Sequence, residues 1–195
     1  MIIPHNFKMN IYEYAAKGKE NDFPVFDHCP SCGCLASGNL HRHGYYWRYG
    51  IEGEDHIRIP ICRYKCLSCG ITISILPDFL IPYFQYTLHM IIEGIRRLLN
   101  KEKRQNRQLQ VQHANRFYEK FHWVHSFFVD EGYRAGLSGD MKKEALKYIT
   151  RIVDMGVSTS FEGAGVTCRR ILWANYFCRI YREKKIKLVP HNFFL

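Results

Sequence analysis

No apolar run in this chain of 195 residues approaches the roughly 18 residues that a membrane-spanning helix needs. The opening Met1-Ile2-Ile3-Pro4-His5-Asn6 also lacks the basic-then-apolar pattern of a secretory leader. The expectation is a cytoplasmic protein with no membrane contact. In a reducing compartment the eight cysteines are expected to stay reduced, so metal binding is a better reading than a disulfide framework for closely paired ones. Long polar stretches are missing too: hydrophobic residues make up 47% and aromatics 15% of the chain, so extended disorder is excluded outside the first twenty residues and the C-terminus. Such a length suits one sizeable core, or a small module joined to a helical domain of about 100 residues.

Net charge is absent from the first part of the chain. Residues 1–80 carry eight Lys and Arg against eight Asp and Glu, whereas residues 81–195 carry twenty against ten, which is the whole of the formal +10. A polyanionic partner is therefore expected at the C-terminal part.

Two short motifs repeat. Cys29-Pro30-Ser31-Cys32-Gly33 and Cys66-Leu67-Ser68-Cys69-Gly70 are each a C-x-x-C followed by glycine. Two cysteines so spaced aim both sulfurs at one metal from a tight turn, and the glycine takes the positive φ that closes it. Cys29, Cys32, Cys66 and Cys69 are thus read as the ligands of one structural Zn²⁺, with no open position for catalysis. Cys34 and Cys62, together with His28, His41 and His43, lie near enough in sequence to replace or support a ligand.

Between the knuckles, Tyr45-Tyr46-Trp47-Arg48-Tyr49 reads as a strand, Gly50 to Asp55 as a turn, and Ile57-Arg58-Ile59-Pro60-Ile61 as a second strand of period two. Ile71 to Ile75 alternates in the same way. Knuckle, hairpin, knuckle, strand is a zinc-ribbon layout, and its metal would supply much of the folding free energy, on the order of 10 kcal/mol. Pro77 and Pro82 end this module. The expected organisation is an N-terminal arm (1–25), a ribbon (26–82), a helical segment (83–131) and C-terminal basic helices (140–195). The fold class is α+β: a small β zinc ribbon followed by an all-α, helix-turn-helix-like bundle.

Helical spacing runs through Phe84, Leu88, Ile91, Ile92, Ile95, Leu98 and Leu99, and again through Ala114, Phe117, Phe121, Val124 and Phe128. Met141 to Met155 reads as a helix capped by Asp140, between the glycine-rich breaks 132–139 and 156–165. A last helix is expected from Val166 to about Lys185.

The basic residues Arg96, Arg97, Lys101, Lys103, Arg104, Arg107 and Arg116 alternate with Gln108, Gln112, Asn115 and other amides. Arginine pairs bidentately with guanine, and Asn or Gln with adenine, in the major groove, so this mixture suits a DNA-contacting element. An ordinary exposed helix surface is the alternative. Arg169, Arg170, Arg179, Arg182, Lys184, Lys185 and Lys187 form a second basic cluster that can grip phosphates. Other candidates are bland: His122 and His125 lack accompanying carboxylates, Gly163-Ala164-Gly165 lacks the rest of a phosphate loop, and Cys168 and Cys178 are simplest as buried thiols.

The run from His28 through the two knuckles to Ile73-Ser74-Ile75-Leu76-Pro77 and Pro82-Tyr83 resembles the N-terminal zinc-ribbon domain of bacterial insertion-sequence transposases and their shorter orphan relatives, over roughly residues 26–90. The resemblance implies a helix-turn-helix segment after the ribbon, at Tyr83 to Phe128, and binding to double-stranded DNA of a mobile element. It carries over Cys29, Cys32, Cys66 and Cys69 as ligands. Cys62 departs from its pattern. A full transposase also needs separated carboxylates that gather two metal ions. Those after residue 130, Asp140, Glu144 and Asp154 among them, have no strand-rich core to position them. The expected protein is a DNA-binding relative that is not itself an enzyme, with a second copy or a full-length transposase as a further partner. A protein-docking module using Tyr45, Tyr46, Trp47 and Tyr49 is the alternative, and an active nuclease the remotest reading.

Overall fold

The computed structural model describes residues 1–102, 106–130 and 139–154. It is a mixed α+β arrangement in which a four-stranded sheet is followed by helices. Lys103 and Arg104, the expected helix from Val166 with Cys168 and Cys178, Gly163 to Gly165, and the second basic cluster lie outside the described residues. Among the described residues no helix is long and apolar enough to cross a membrane.

The sheet is built on one long hairpin. Strands β2 (Leu40–Glu52) and β3 (Asp55–Cys66) pair antiparallel from Leu40↔Cys66 to Glu52↔Asp55, with a bulge at Arg42/Gly44. Only Gly53 and Glu54 remain for the turn, and Gly53 sits at φ +63°, the left-handed geometry a two-residue hairpin demands. The turn expected over Gly50–Asp55 is therefore shorter. Gly50 stays in the strand, where a Cβ would lie 2.3 Å from Ile11 Cδ1, so its bare backbone admits the neighbouring helix.

Strand β4 (Thr72–Pro77) pairs antiparallel with β3, and β1 (Ile2–His5) adds to β4 in parallel, giving the order β1-β4-β3-β2. The stretch 1–25, expected as an arm, is thus part of the sheet and its core. Helix α1 (Ile11–Lys17) opens with a reciprocal capping box between Asn10 and Glu13 and lays Ile11 and Tyr14 against β3. Phe7, Tyr14 and Phe23 meet edge to face, and the Tyr14 hydroxyl donates to the Pro60 carbonyl at 2.9 Å. The core beneath holds Ile59, Ile61, Ile73, Ile75 and Leu76, all fully buried.

A second core lies among α2 (Leu88–Leu99), α3 (Arg107–Glu119), α4 (Phe121–Asp130) and α5 (Met141–Asp154). Ile91, Ile92 and Ile95 of α2 meet Phe117, Phe121, Tyr148 and Ile149 there. Asp140 caps α5, accepting from the amides of Lys142 and Lys143 at 3.0 and 3.2 Å. Residues 100–106 join α2 to α3, a longer connection than the three or four residues of a helix-turn-helix. Lys120 alone separates α3 from α4.

The two cores meet at Leu80 and Ile81, adjacent residues that each enter a different one. Arg48 of β2 donates its guanidinium to the carbonyls of Ile81 and Phe84. Backbone bonds link Ile51 with Gln85 and Thr87 at 2.8 and 3.0 Å. The sheet is therefore fastened to the start of α2 by main-chain and side-chain bonds together.

Candidate metal centre and helix surface

The knuckles are two copies of one turn. Gly33 donates its amide to the Cys29 carbonyl at 2.9 Å and Gly70 donates to the Cys66 carbonyl at 2.9 Å, with φ values of +73° and +72°. The hairpin brings the second knuckle beside the first, where Leu67 N–H reaches the Asn39 carbonyl at 2.8 Å.

Four sulfurs converge as a result. Those of Cys29, Cys32, Cys66 and Cys69 all lie within 4.8 Å of one another, with Cys29–Cys69 at 4.0 Å and Cys32–Cys66 at 3.9 Å. A tetrahedral ion with bonds of ~2.3 Å to sulfur sets its ligands ~3.8 Å apart, so the arrangement fits a single metal ion. The amide N–H of Cys69, joined by bonds from the thiols of Cys34, Cys29 and Cys69, holds the Cys66 thiol down to about 6, while burial pushes the Cys29 thiol up to about 11. Binding must then displace protons from the less acidic thiols, which makes metal affinity rise with pH.

The neighbouring candidates stand at different distances from the four sulfurs. Cys34 Sγ lies 3.6 Å from Cys66 Sγ, just outside the four. Cys62 is fully buried in β3, among the core residues of the sheet. His41 turns a ring nitrogen to the Gly38 carbonyl at 3.2 Å, and His28 forms an isolated bridge with Leu35. His122 is exposed and His125 bonds the Tyr148 hydroxyl, so neither joins a ligand group among the described residues.

Among the described residues, the candidate DNA-contacting residues fall on α2, on the loop that follows it and on α3. Arg96 and Arg97, in the last turn of α2, both engage Glu93: Arg96 at 2.7 and 2.8 Å and Arg97 at 2.8 Å. The pair of guanidiniums holds the Glu93 carboxyl down to about 2, and much of their charge is neutralised locally. Lys101 is exposed at positive φ in the loop.

Helix α3 presents a different surface. Gln108, Gln112 and Asn115 are exposed at i, i+4 and i+7, with Arg107 and Arg116 exposed beside them. The opposite face buries His113, Ala114 and Phe117. Gly94 of α2 lets α3 come close, since a Cβ there would lie 3.3 Å from Gln110 Cγ. Arg116 stacks its guanidinium over Phe84 at 4.8 Å, which orients that cation on the helix surface.

A cleft of about 850 Å³ opens between the hairpin tip and helices α2 and α3, lined by Gly53, His56, Tyr86, His89, Gln110 and His113 among others. Burial, aided by the nearby Arg116, pushes His113 down to about 4, so it stays neutral near pH 7. His89 is pushed the other way by its bond to Glu52 at 2.9 Å. Sequence reasoning missed the cleft because it joins residues of the hairpin and both helices that share no local pattern.

With this geometry in place, comparison with known proteins adds one finding: residues 29–114 match a family model described as "Domain of unknown function (DUF6431)". The matched span begins at the first of the four cysteines and ends within α3, so it takes in both knuckles, the hairpin, β4 and α2. No curated protein and no solved structure matches the chain.

Proposed function

We propose that this chain is a zinc-dependent DNA-binding protein, transposase-like but without strand-transfer chemistry of its own. A zinc ribbon braces a basic helical segment that contacts duplex DNA. The observation that carries this reading is the exposed face of α3, where Gln108, Gln112 and Asn115 share one line with Arg107 and Arg116 at its flanks. Amides on such a line can reach adenine edges in the major groove while arginines take guanine or phosphate. The concentration of all net positive charge in residues 81–195 supports it.

Zinc is the metal that four thiolates with no open position suit best, and its contribution is folding free energy rather than chemistry on a substrate. The sheet it closes supports α2 through Arg48, Ile51 and Glu52. Of the carboxylates after residue 130, Asp140 caps α5 and Glu144 pairs with Lys147 at 3.2 Å. A second copy of the chain, or a full-length transposase sharing the same target, is the proposed protein partner.

The test is selection from a randomised duplex pool followed by affinity measurements on the selected site. Replacing Gln112 and Asn115 together with Ala should weaken the selected site by about 1–3 kcal/mol per lost base contact and flatten its preference. Arg107→Ala should weaken all sequences alike and reduce the salt slope by about one. Variants that bind with unchanged affinity and preference would refute this use of α3.

A protein-docking module is the second reading, favoured by Trp47 and Tyr49, which are 46% and 50% exposed on the sheet's edge strand. Arg58 packs over Trp47 at 4.8 Å, a pairing also common at interfaces.

A further inference from the structure

The cysteine cluster offers more sulfur than a tetrahedral ion uses. Cys34 Sγ stands 3.6 Å from Cys66 Sγ, closer than Cys32 Sγ comes to the same atom at 3.9 Å. Its placement is fixed by the fold of the first knuckle. The Cys29 amide donates to the Cys34 carbonyl at 2.7 Å, and His28 and Leu35 form a bridge beyond, so the chain doubles back and sets Cys34 against the second knuckle. Cys34 is half-buried, whereas Cys66 is fully buried. A solvent-reachable thiol outside the ligand set thus touches an interior ligand 32 residues away.

The geometry points to Cys34 and Cys66 as a hydroperoxide-responsive pair, whose joining in a disulfide removes one of the metal's four ligands. This rests on the proposed zinc reading. The Cys34 sulfur attacks one peroxide oxygen and the O–O bond breaks. Water, or an alcohol from an organic peroxide, leaves with the thiol proton, and Cys34 becomes a sulfenic acid. The Cys66 thiolate then attacks the Cys34 sulfur, the S–O bond breaks, and hydroxide departs. The two sulfurs lose two electrons and the peroxide gains them. The sulfurs need only close from 3.6 Å to the ~2.05 Å of a disulfide. Three thiolates are left to hold zinc, and because the metal supplies folding free energy, the ribbon and the support it gives α2 weaken together. A dithiol reductant reverses the change.

The experiment treats the zinc-loaded full chain with hydrogen peroxide, follows zinc release with a chromophoric chelator, and maps disulfides by tandem mass spectrometry. The expected result is one zinc per chain at the outset, then release accompanied by a Cys34–Cys66 linked peptide, both reversed by dithiothreitol. Cys34→Ser and Cys34→Ala should release zinc at least ~10-fold more slowly, with Cys62→Ser behaving as wild type. Equal release rates in the Cys34 variants, or a wild-type map joining Cys32 rather than Cys34 to Cys66, would overturn the pair. A chain that holds no zinc before oxidation would refute the zinc reading instead. The wild-type disulfide map still decides the pair in that case, and equally if a Cys34 variant fails to fold.

Discussion

Thr87 accepts the amide of Met90 as the cap of α2 and donates its hydroxyl to the carboxylate of Glu52 at the hairpin end. One buried hydroxyl therefore starts the helical bundle and ties it to the sheet. Glu52 also receives His89, and although burial pushes its carboxyl up, the bonds from His89 and Thr87 outweigh that and hold it below the ordinary value.

Thr87→Val keeps the shape and removes both bonds. It should cost about 2 kcal/mol, the sum of a lost cap and a carboxylate left without its donor. Thr87→Ser should retain most of that stability. Urea unfolding of the two variants checks the pair, and equal midpoints would contradict the role given to the hydroxyl.

His113 predicts an acid-sensitive helical core. Its folded value of about 4 lies below the ordinary histidine value of 6.5, so the unfolded chain binds the extra proton across that interval. The stability this neutral ring allows is present above about pH 6.5 and is lost as pH falls toward 4. His113→Phe, which keeps a ring against Phe84 and Tyr86, should flatten that acid limb in thermal melts between pH 4 and 7. A limb of unchanged steepness would show that other groups dominate it.

The metal cluster makes the sharpest stability prediction. Cys66→Ser should lower bound metal from one equivalent to none and open residues 26–80 to proteolysis, because one knuckle then has a single sulfur left. Unchanged metal content and protease resistance would sink the ligand assignment.

What could be read from sequence was local. Each C-x-x-C-G knuckle carries its geometry within five residues, and α2 and α5 follow from helical spacing, with Asp140 as the cap. Strand β1 has no such signal: four residues containing Pro4 find their parallel partner at Ser74 to Pro77, with no turn between to announce the pairing. Helix α1 did leave one, the Asn10 and Glu13 capping box that brackets Ile11 and precedes Tyr14, in a helix of only seven residues. Gly50 looked like a turn residue because glycine usually marks one, yet here it makes room for the Ile11 side chain of α1. Cys34 followed no metal-ligand spacing, and only the folding back of the first knuckle sets it beside Cys66.

In the proposed function, the helical part of this chain binds DNA through its phosphates and reads it with α3. The most direct test is the affinity of the metal-loaded full chain for duplex DNA across a salt series. The expected result is measurable binding at low salt that falls steeply as salt rises, with a slope set by about 0.9 counterions per neutralised phosphate. Absence of binding even at low salt, or an affinity indifferent to salt, would contradict it and favour the docking surface around Trp47 and Tyr49.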